Sequence, residues 1–262
     1  MRKDALQLEE SRLGDIDDLK DYQIVKERHR VFPAIFEGRQ HKRILDIASG
    51  VGCATQRIRD HYASDLTCSD ISPICLRILH KLGIPVVSFD IDDDEIAFPF
   101  CDGHFDAIIS LVTIEHLIYV DHFLEEIYRI LSDEGYLYIA TPNYAAPEYL
   151  APVVLTGRSF HNPLLENSRY EFYAHVRYFT YKTLLELVSS FGFIPDTVYI
   201  ALPGGSTRYQ ALYSKSKPVA LAFRYAMWLR HHLLPPRFAS EPILCFQKAL
   251  SRKDRRFRKV VL

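Results

Sequence analysis

At 262 residues, 48% of them apolar, the chain is long enough for one sizeable domain with its own core. It has no run of about 18 uncharged apolar residues, so no membrane span is indicated, and the opening MRKDALQLEESRLGD lacks the apolar stretch of a secretory leader. The formal net charge of −1 hides an asymmetry: residues 204–262 hold 13 Lys and Arg against Glu241 and Asp254 alone, which points to a basic face that meets something anionic.

Residues 21–37, DYQIVKERHRVFPAIFE, predict a leading helix over the sheet, within an N-terminal helical cover of residues 1–40. Strands are expected at 43–47, 66–70, 85–89, 105–111 and 135–141, alternating with helical patterns such as Ser72 to Leu82 and Asp121 to Leu131. This alternation implies right-handed crossovers and a mostly parallel sheet with helices on both faces, an α/β fold of the doubly wound kind. Thr180 to Gly192, TYKTLLELVSSFG, reads as a helix capped by Thr180 and ended by Gly192. A sixth strand follows at about 194–200 and a last one at Ile243 to Lys248.

Two insertions interrupt this plan, Pro142 to Tyr178 after the fifth strand and Pro203 to Pro242 between the sixth and seventh. Both leave at the carboxyl ends of strands, where open α/β sheets bind ligands, so together they are expected to build the substrate edge. The first (142–178) is rich in Tyr, Phe, His and Asn and fits an aromatic-walled substrate lid; its plainer reading is a surface excursion that packs its own aromatics. The second (203–242) carries Pro218 to Leu234, where Val219, Ala222, Phe223, Ala226, Leu229 and Leu233 share one helical face. Trp228, Tyr225 and the arginines suit a bilayer interface, a peripheral contact on the inner face of the membrane through 218–234. Packing on this chain, or on its twin in a homodimer, is the alternative. The basic tail 249–262, with SRKDRRFR at Ser251 to Arg258, either adds attraction to anionic lipid or ends as a solvated terminus. No nucleic-acid recognition module is recognisable, so no nucleic-acid partner is expected.

The most informative segment is RILDIASGVG, Arg43 to Gly52. A short apolar run ends in Asp46, Gly50 and Gly52 follow, and CATQRIRDHY continues as a helix. Glycine lets a bound small molecule approach the backbone where a Cβ would block it. The loop has no third glycine of the GxGxxG kind, and its acidic residue suits an amine-bearing ligand better than a pyrophosphate. Both features weigh against a nicotinamide or flavin oxidoreductase. Five cysteines, an odd number without a CxxC pair, read as free thiols of a reducing cytoplasm.

Taken with SDIS (Ser69 to Ser72), FDIDDDEIAFPFCDGHFDAIIS (Phe89 to Ser110) and IYRILSDEGYLYIATPN (Ile127 to Asn143), this segment resembles the class I S-adenosylmethionine-dependent methyltransferases, in the branch of types 11 and 23. Four motifs in order cover roughly residues 40–200. The resemblance implies a Rossmann-like, mostly parallel seven-stranded sheet in one methyltransferase domain, with a final antiparallel strand beside the sixth. It implies S-adenosylmethionine as cofactor, its ammonium held by Asp46 and its methionine part lined by Ala48, Gly50 and Gly52. Ala48 stands for the family's commoner first glycine, a small-volume departure. Asp70 matches the carboxylate that accepts both ribose hydroxyls, and Ile71 packs on the adenine edge. Asp90 matches the acceptor of the adenine amino group and Ile91 the residue that covers the ring. Asp92 to Asp94 with Glu95 read as a mostly solvated acidic loop, and Leu111 offers backbone near the sulfonium.

In LVTIEHLIYVDHF, Glu115-His116 follows the fourth strand. Ubiquinone-type and small-RNA 2′-O-methyltransferases of this kind can bind a divalent metal with Glu-x-x-Glu-His and a further His. Here Val112 stands at the first Glu position, so no metal is expected. His116, or His175 where the first insertion re-enters the sheet, is the candidate general base, since imidazole titrates near working pH. A helix-start Glu–His pair that only orders the loop is the other reading of His116. The resemblance implies in-line methyl transfer, which needs proximity and orientation more than covalent help. The expected acceptor is an oxygen on a small or lipid-linked molecule such as a sugar. The alternatives are a quinone or phenol acceptor, or a non-catalytic protein that binds S-adenosylmethionine or S-adenosylhomocysteine.

Overall fold

In the computed structural model, which describes residues 3–22, 24–159, 161–249 and 258–262, the apolar runs of the sequence become strands of one sheet. The chain opens with α1 (Lys3–Leu13) and the single-turn α2 (Glu27–Arg30). Then β1 (Arg43–Ile47), α3 (Cys53–His61), β2 (Asp65–Ser69), α4 (Pro73–Lys81), β3 (Val86–Val87), β4 (Phe105–Leu111), α5 (Val120–Ile130) and β5 (Leu131–Ala140) alternate. The first insertion carries α6 (Pro147–Thr156) and α7 (Glu166–Ala174), and α8 (Tyr181–Ser190) leads into β6 (Phe193–Ile200). The second carries α9 (Thr207–Lys215) and α10 (Lys217–Leu233), before β7 (Ile243–Lys248) and β8 (Arg258–Val261).

The strands lie in the order β3-β2-β1-β4-β5-β7-β6-β8. β1 to β5 pair in parallel, and β7 runs antiparallel to both β5 and β6. β8 is an edge strand beyond the seven expected, and it is parallel to β6. It corrects the reading of 249–262 as a free basic tail: Arg258 pairs with Glu37, and the Lys259 ammonium donates to the carbonyls of His231 and Leu234 at the end of α10. Two of the charges counted toward an anionic partner are thus consumed by the fold. The stretch 250–257 lies outside the described residues.

Residues 21–37 do not form one helix. Lys26 is extended and α2 makes one turn; Pro33 has no N–H to donate, and a 3-10 turn follows at Ala34–Phe36. Phe32, Ile35 and Phe36 are nevertheless fully buried against the sheet. The helical cover comes instead from α1, whose Leu13 packs with Val51, Cys75 and Ile78 above the glycine loop.

The core has two layers, one on each face of the sheet, because strand side chains alternate. Leu137 and Ile139 pack with Phe123 and Ile127 of α5 and Val188 of α8. Tyr138 and Ala140 pack with Ala54 and Ile58 of α3 and with Phe32. Thr180 caps α8 as read: its Oγ1 accepts the Thr183 N–H at 3.2 Å while Thr183 Oγ1 accepts the Thr180 N–H at 2.8 Å. All five cysteines are free thiols. Among the described residues no helix is long and apolar enough to cross a membrane.

Candidate active site

The glycine loop follows β1, between its neighbours β2 and β4, where crossovers depart in opposite directions and leave a crevice. Asp46 is 3% exposed, and its Oδ2 accepts the Thr55 hydroxyl at 2.5 Å. Burial pushes its carboxyl up to about 7; the Thr55 bond opposes this and the nearby Asp70 adds to it. Ala48, expected to be tolerated for its small volume, sits at φ +54°, a left-handed backbone that glycine adopts without cost. Ala48→Gly is accordingly expected to raise the melting temperature by about 1–3 °C, relief of the left-handed cost exceeding glycine's extra unfolded-state entropy. A lower melting temperature, read by differential scanning calorimetry, would refute it.

Gly50 and Gly52 are also left-handed, at φ +58° and +86°, and a Cβ on Gly52 would stand 2.8 Å from Leu79 Cδ2. Asp70 is tied into the same turn. Its Oδ1 accepts the N–H groups of Ile71 and Ser72, both at 2.9 Å, and its Oδ2 accepts Gly50 N–H at 2.8 Å. A carboxylate offers about four acceptor directions, so the loop leaves one, on Oδ2. Burial raises the Asp70 carboxyl, and the three backbone bonds pull it back.

Asp90 Oδ1 accepts the Asp92 N–H at 3.0 Å, and Ile91 packs against the sheet core. Asp92 is not solvated, as the acidic run led one to expect. It is buried, and its Oδ1 accepts the N–H groups of Ile118 at 2.7 Å and Tyr119 at 2.8 Å, tying the loop to the entry of α5. Leu111 ends β4. The next residue, Val112, is β-branched yet sits at φ +59°, a strained backbone at the edge that carries Glu115 and His116.

Glu115 is fully buried. Its Oε2 accepts the Thr141 hydroxyl at 2.8 Å, and its Oε1 has no hydrogen-bond partner. Burial pushes its carboxyl up to about 8. Its backbone carbonyl accepts Val176 N–H at 2.9 Å and Arg177 N–H at 3.1 Å, which draws the end of the first insertion alongside. His116 and His175 consequently meet with ring centroids 4.7 Å apart. His116 Nδ1 lies 3.0 Å from the Ala174 carbonyl, which can only accept, so Nδ1 carries the proton and Nε2 the lone pair. His175 Nδ1 lies 2.8 Å from the Tyr144 hydroxyl, which lies 2.8 Å from His161 Nε2. Burial, with His116 and His161 adding repulsion, lowers His175 to about 3; burial also lowers His116 and His161. One donor atom from each of Glu115, His116 and His175 lies within 4.8 Å of the others, so this trio can hold a divalent cation although Val112 contributes nothing.

The relay also borders a cavity of about 260 Å³, lined by Tyr144, Tyr149, Leu150, Val153, His161 and Phe172 among others. A larger open groove of about 720 Å³, by α5 and α8, shares only Tyr178 with it and touches none of the glycine-loop residues. Tyr144 and His161 were not legible as site residues, because only the folded insertion brings them to His175. Arg28 was also missed. Its Nη1 pairs with Glu241 Oε2 at 2.5 Å, its Nε is buried without a partner, and its charge acts on Cys53, Glu115 and Tyr149. Glu9 of α1 acts on both Asp70 and His116, so α1 bridges the two clusters.

Residues 18–197, more than half of the chain, match the family described as a methyltransferase domain. The chain belongs to that family. A methyltransferase domain of this class takes its methyl group from S-adenosylmethionine. The chain is 31% identical over 123 residues to the malonyl-[acyl-carrier protein] O-methyltransferase of Geobacter sulfurreducens, covering 45% of this chain and 46% of the relative. It is 31% identical over 145 residues to the fatty-acid O-methyltransferase of Mycolicibacterium smegmatis, covering 52% and 50%. The chain spans about half the length of these curated relatives. An S-adenosylmethionine-dependent methyltransferase from Mesorhizobium loti shares its fold, with a TM-score of 0.55 at 19% identity over 83% of this chain and 97% of that one.

Proposed function

We propose that the protein is an S-adenosylmethionine-dependent O-methyltransferase that acts on a hydroxyl of a molecule carried by an apolar chain, a lipid-linked sugar being the representative case. The observation that carries this reading is the Tyr144 hydroxyl, set between His161 and His175 at the wall of an aromatic and aliphatic cavity. The glycine loop fits the methyl donor. Buried Asp46 has Thr55 as a partner and, among the described residues, no cation acting on it, which suits an ammonium. The remaining acceptor direction of Asp70 suits one ribose hydroxyl, and a Cβ at Gly50 would meet nothing within 4 Å, leaving room above the loop. Ile71, Asp90 and Ile91 serve the adenine and Leu111 the sulfonium edge.

S-adenosylmethionine supplies an electrophilic methyl group. The chain's own work is to orient the acceptor oxygen in line with it, exclude water and take the hydroxyl proton. His116, whose Nδ1 carries its proton, takes that proton at Nε2, or His175 does so in the tautomer in which its Nδ1–H donates to the Tyr144 hydroxyl. The segment 142–178 acts as the substrate lid and α1 covers the methyl-donor edge. The names of the two curated relatives support an oxygen as the methylated atom.

A second reading, a carboxylate acceptor, is favoured by the unpartnered Arg28 Nε, which would hold the acid and leave no proton to remove. The test is turnover of labelled S-adenosylmethionine with a lipid-linked sugar, a fatty acid and a quinol in parallel. Label on the sugar hydroxyl is expected. Label on the fatty acid alone would select the second reading. Cofactor binding without transfer to any acceptor would leave a non-catalytic binder.

A further inference from the structure

The last turn of α7 fixes both histidines of the site through its backbone. The Glu171 carbonyl accepts the His175 N–H at 3.0 Å, and the Ala174 carbonyl lies 3.0 Å from His116 Nδ1. The Glu171 side chain takes no part in this. Its Oε2 is buried and, among the described residues, has no hydrogen-bond partner. A buried carboxylate oxygen left unsatisfied is costly, so its presence calls for a reason.

Its surroundings supply one. Ser168 and Glu171 are three residues apart on α7 and share a face of the helix. Ser168 is bonded both ways to the residue after His161: its Oγ accepts the Asn162 N–H at 3.1 Å and donates to the Asn162 carbonyl at 2.9 Å. The backbone at His161 is thereby pinned to the face that carries Glu171. The Glu171 charge acts on His161, Tyr144 and His116. Among the described residues, only the charges of His116 and His161 act on His175. Glu171 therefore reaches His175 through His161 and the Tyr144 hydroxyl.

One proton sets the direction of that chain. Burial, with the charges around it, keeps the phenol proton on Tyr144, and burial keeps His161 neutral. If Tyr144 donates to His161 Nε2, the His161 ring carries its proton on Nδ1, and Tyr144 accepts from His175 Nδ1–H. His175 Nε2 is then a lone pair. If Tyr144 donates to His175 Nδ1, His161 carries its proton on Nε2 and presents a lone pair at Nδ1. His175 is then protonated at Nε2 and cannot act as a base. A carboxylate beside His161 attracts an N–H and repels a lone pair, which selects the first arrangement. We propose that Glu171 is a positioning residue: acting through His161 and Tyr144, it sets the tautomer that leaves His175 Nε2 free to take the acceptor proton. This rests on the proposed role of His175 as base, but the tautomer itself is read without methyl donor or acceptor.

The test is nitrogen-15 NMR of the histidine rings in the full, unliganded chain, with signals assigned from His161→Gln and His175→Gln. Wild-type His161 and His175 are both expected to carry their proton on Nδ1. Glu171→Met removes the acceptor and keeps the length of the side chain. It should move both rings toward Nε2–H and lower kcat with the lipid-linked sugar by about 10- to 100-fold, while KM and S-adenosylmethionine affinity stay within about twofold. Glu171→Gln keeps a carbonyl oxygen that can accept from His161, and should hold kcat within about threefold of wild type. Wild-type His175 protonated at Nε2 would overturn the inference without any variant. So would unchanged tautomers and kcat in folded Glu171→Met, or an equal loss of kcat in the Met and Gln variants. The expected tautomers without transfer to any hydroxyl would count against the proposed function and leave the role of Glu171 in setting the tautomer standing.

Discussion

Replacing His175 with alanine is expected to lower kcat about 10²- to 10⁴-fold while the affinity for S-adenosylmethionine stays at its wild-type value. The Tyr144 hydroxyl has one proton and lies between two imidazole nitrogens, so it donates to one and accepts from the other. His175 Nε2 is free to take a proton when Tyr144 donates to His161 and accepts from His175 Nδ1–H, and His116 lies against the His175 ring with its own Nε2 unprotonated. Tyr144→Phe keeps the cavity wall and removes only the link, so it should cost less than the histidine change. Because burial holds His175 far below the ordinary imidazole range, the base is already neutral across pH 5–8. Its titration should therefore leave no step in kcat in that window. Steady-state kinetics of His116→Ala, His175→Ala and the double variant checks this. Near-normal rates in all three would mean that positioning alone suffices. Loss of wild-type activity on chelation, restored by Mg²⁺ or Zn²⁺, would assign the Glu115, His116 and His175 trio to a metal instead.

The parts of the fold legible in the sequence were those fixed by local pattern. β1 and β4 were readable because a buried parallel strand is a short uninterrupted apolar run, and the glycine loop because left-handed backbone selects its residues. β8 was not readable: the charge run that precedes Arg258 masks four residues whose strand character comes from pairing with β6. The leading helix breaks on both sides of α2, where Lys26 is extended and Pro33 has no N–H to donate. In the site, Asp46 and Asp70 follow from strand ends. Tyr144 and His161 do not, because the contact that joins them to His175 spans the folded insertion and leaves no periodicity behind. Val112 shows the converse. Its mismatch with a family metal motif is visible in sequence, but its strained backbone exists only in the fold.

Asp70→Asn is expected to weaken S-adenosylmethionine binding by about 1.5–3 kcal/mol, the scale of a lost hydrogen bond to a charged group. Asparagine keeps one carbonyl oxygen for the Ile71 and Ser72 N–H groups but turns an amide donor toward Gly50 N–H and the ribose, where an acceptor is required. Alanine would lose all three backbone bonds and confuse stability with affinity. The same calorimetric titration, repeated across pH, reads Asp46. Its folded pKa is raised, so between about pH 4 and 7 the folded protein binds more protons than the unfolded chain. The unliganded protein therefore loses stability as pH rises through that window. Pairing with an ammonium requires the ionised form, so affinity should fall by about tenfold per pH unit below 7, with proton release on binding that varies with buffer ionisation enthalpy. Unchanged affinity in a folded Asp70→Asn protein would remove the ribose assignment, and a pH-independent affinity between 5 and 8 would remove Asp46 from the ammonium.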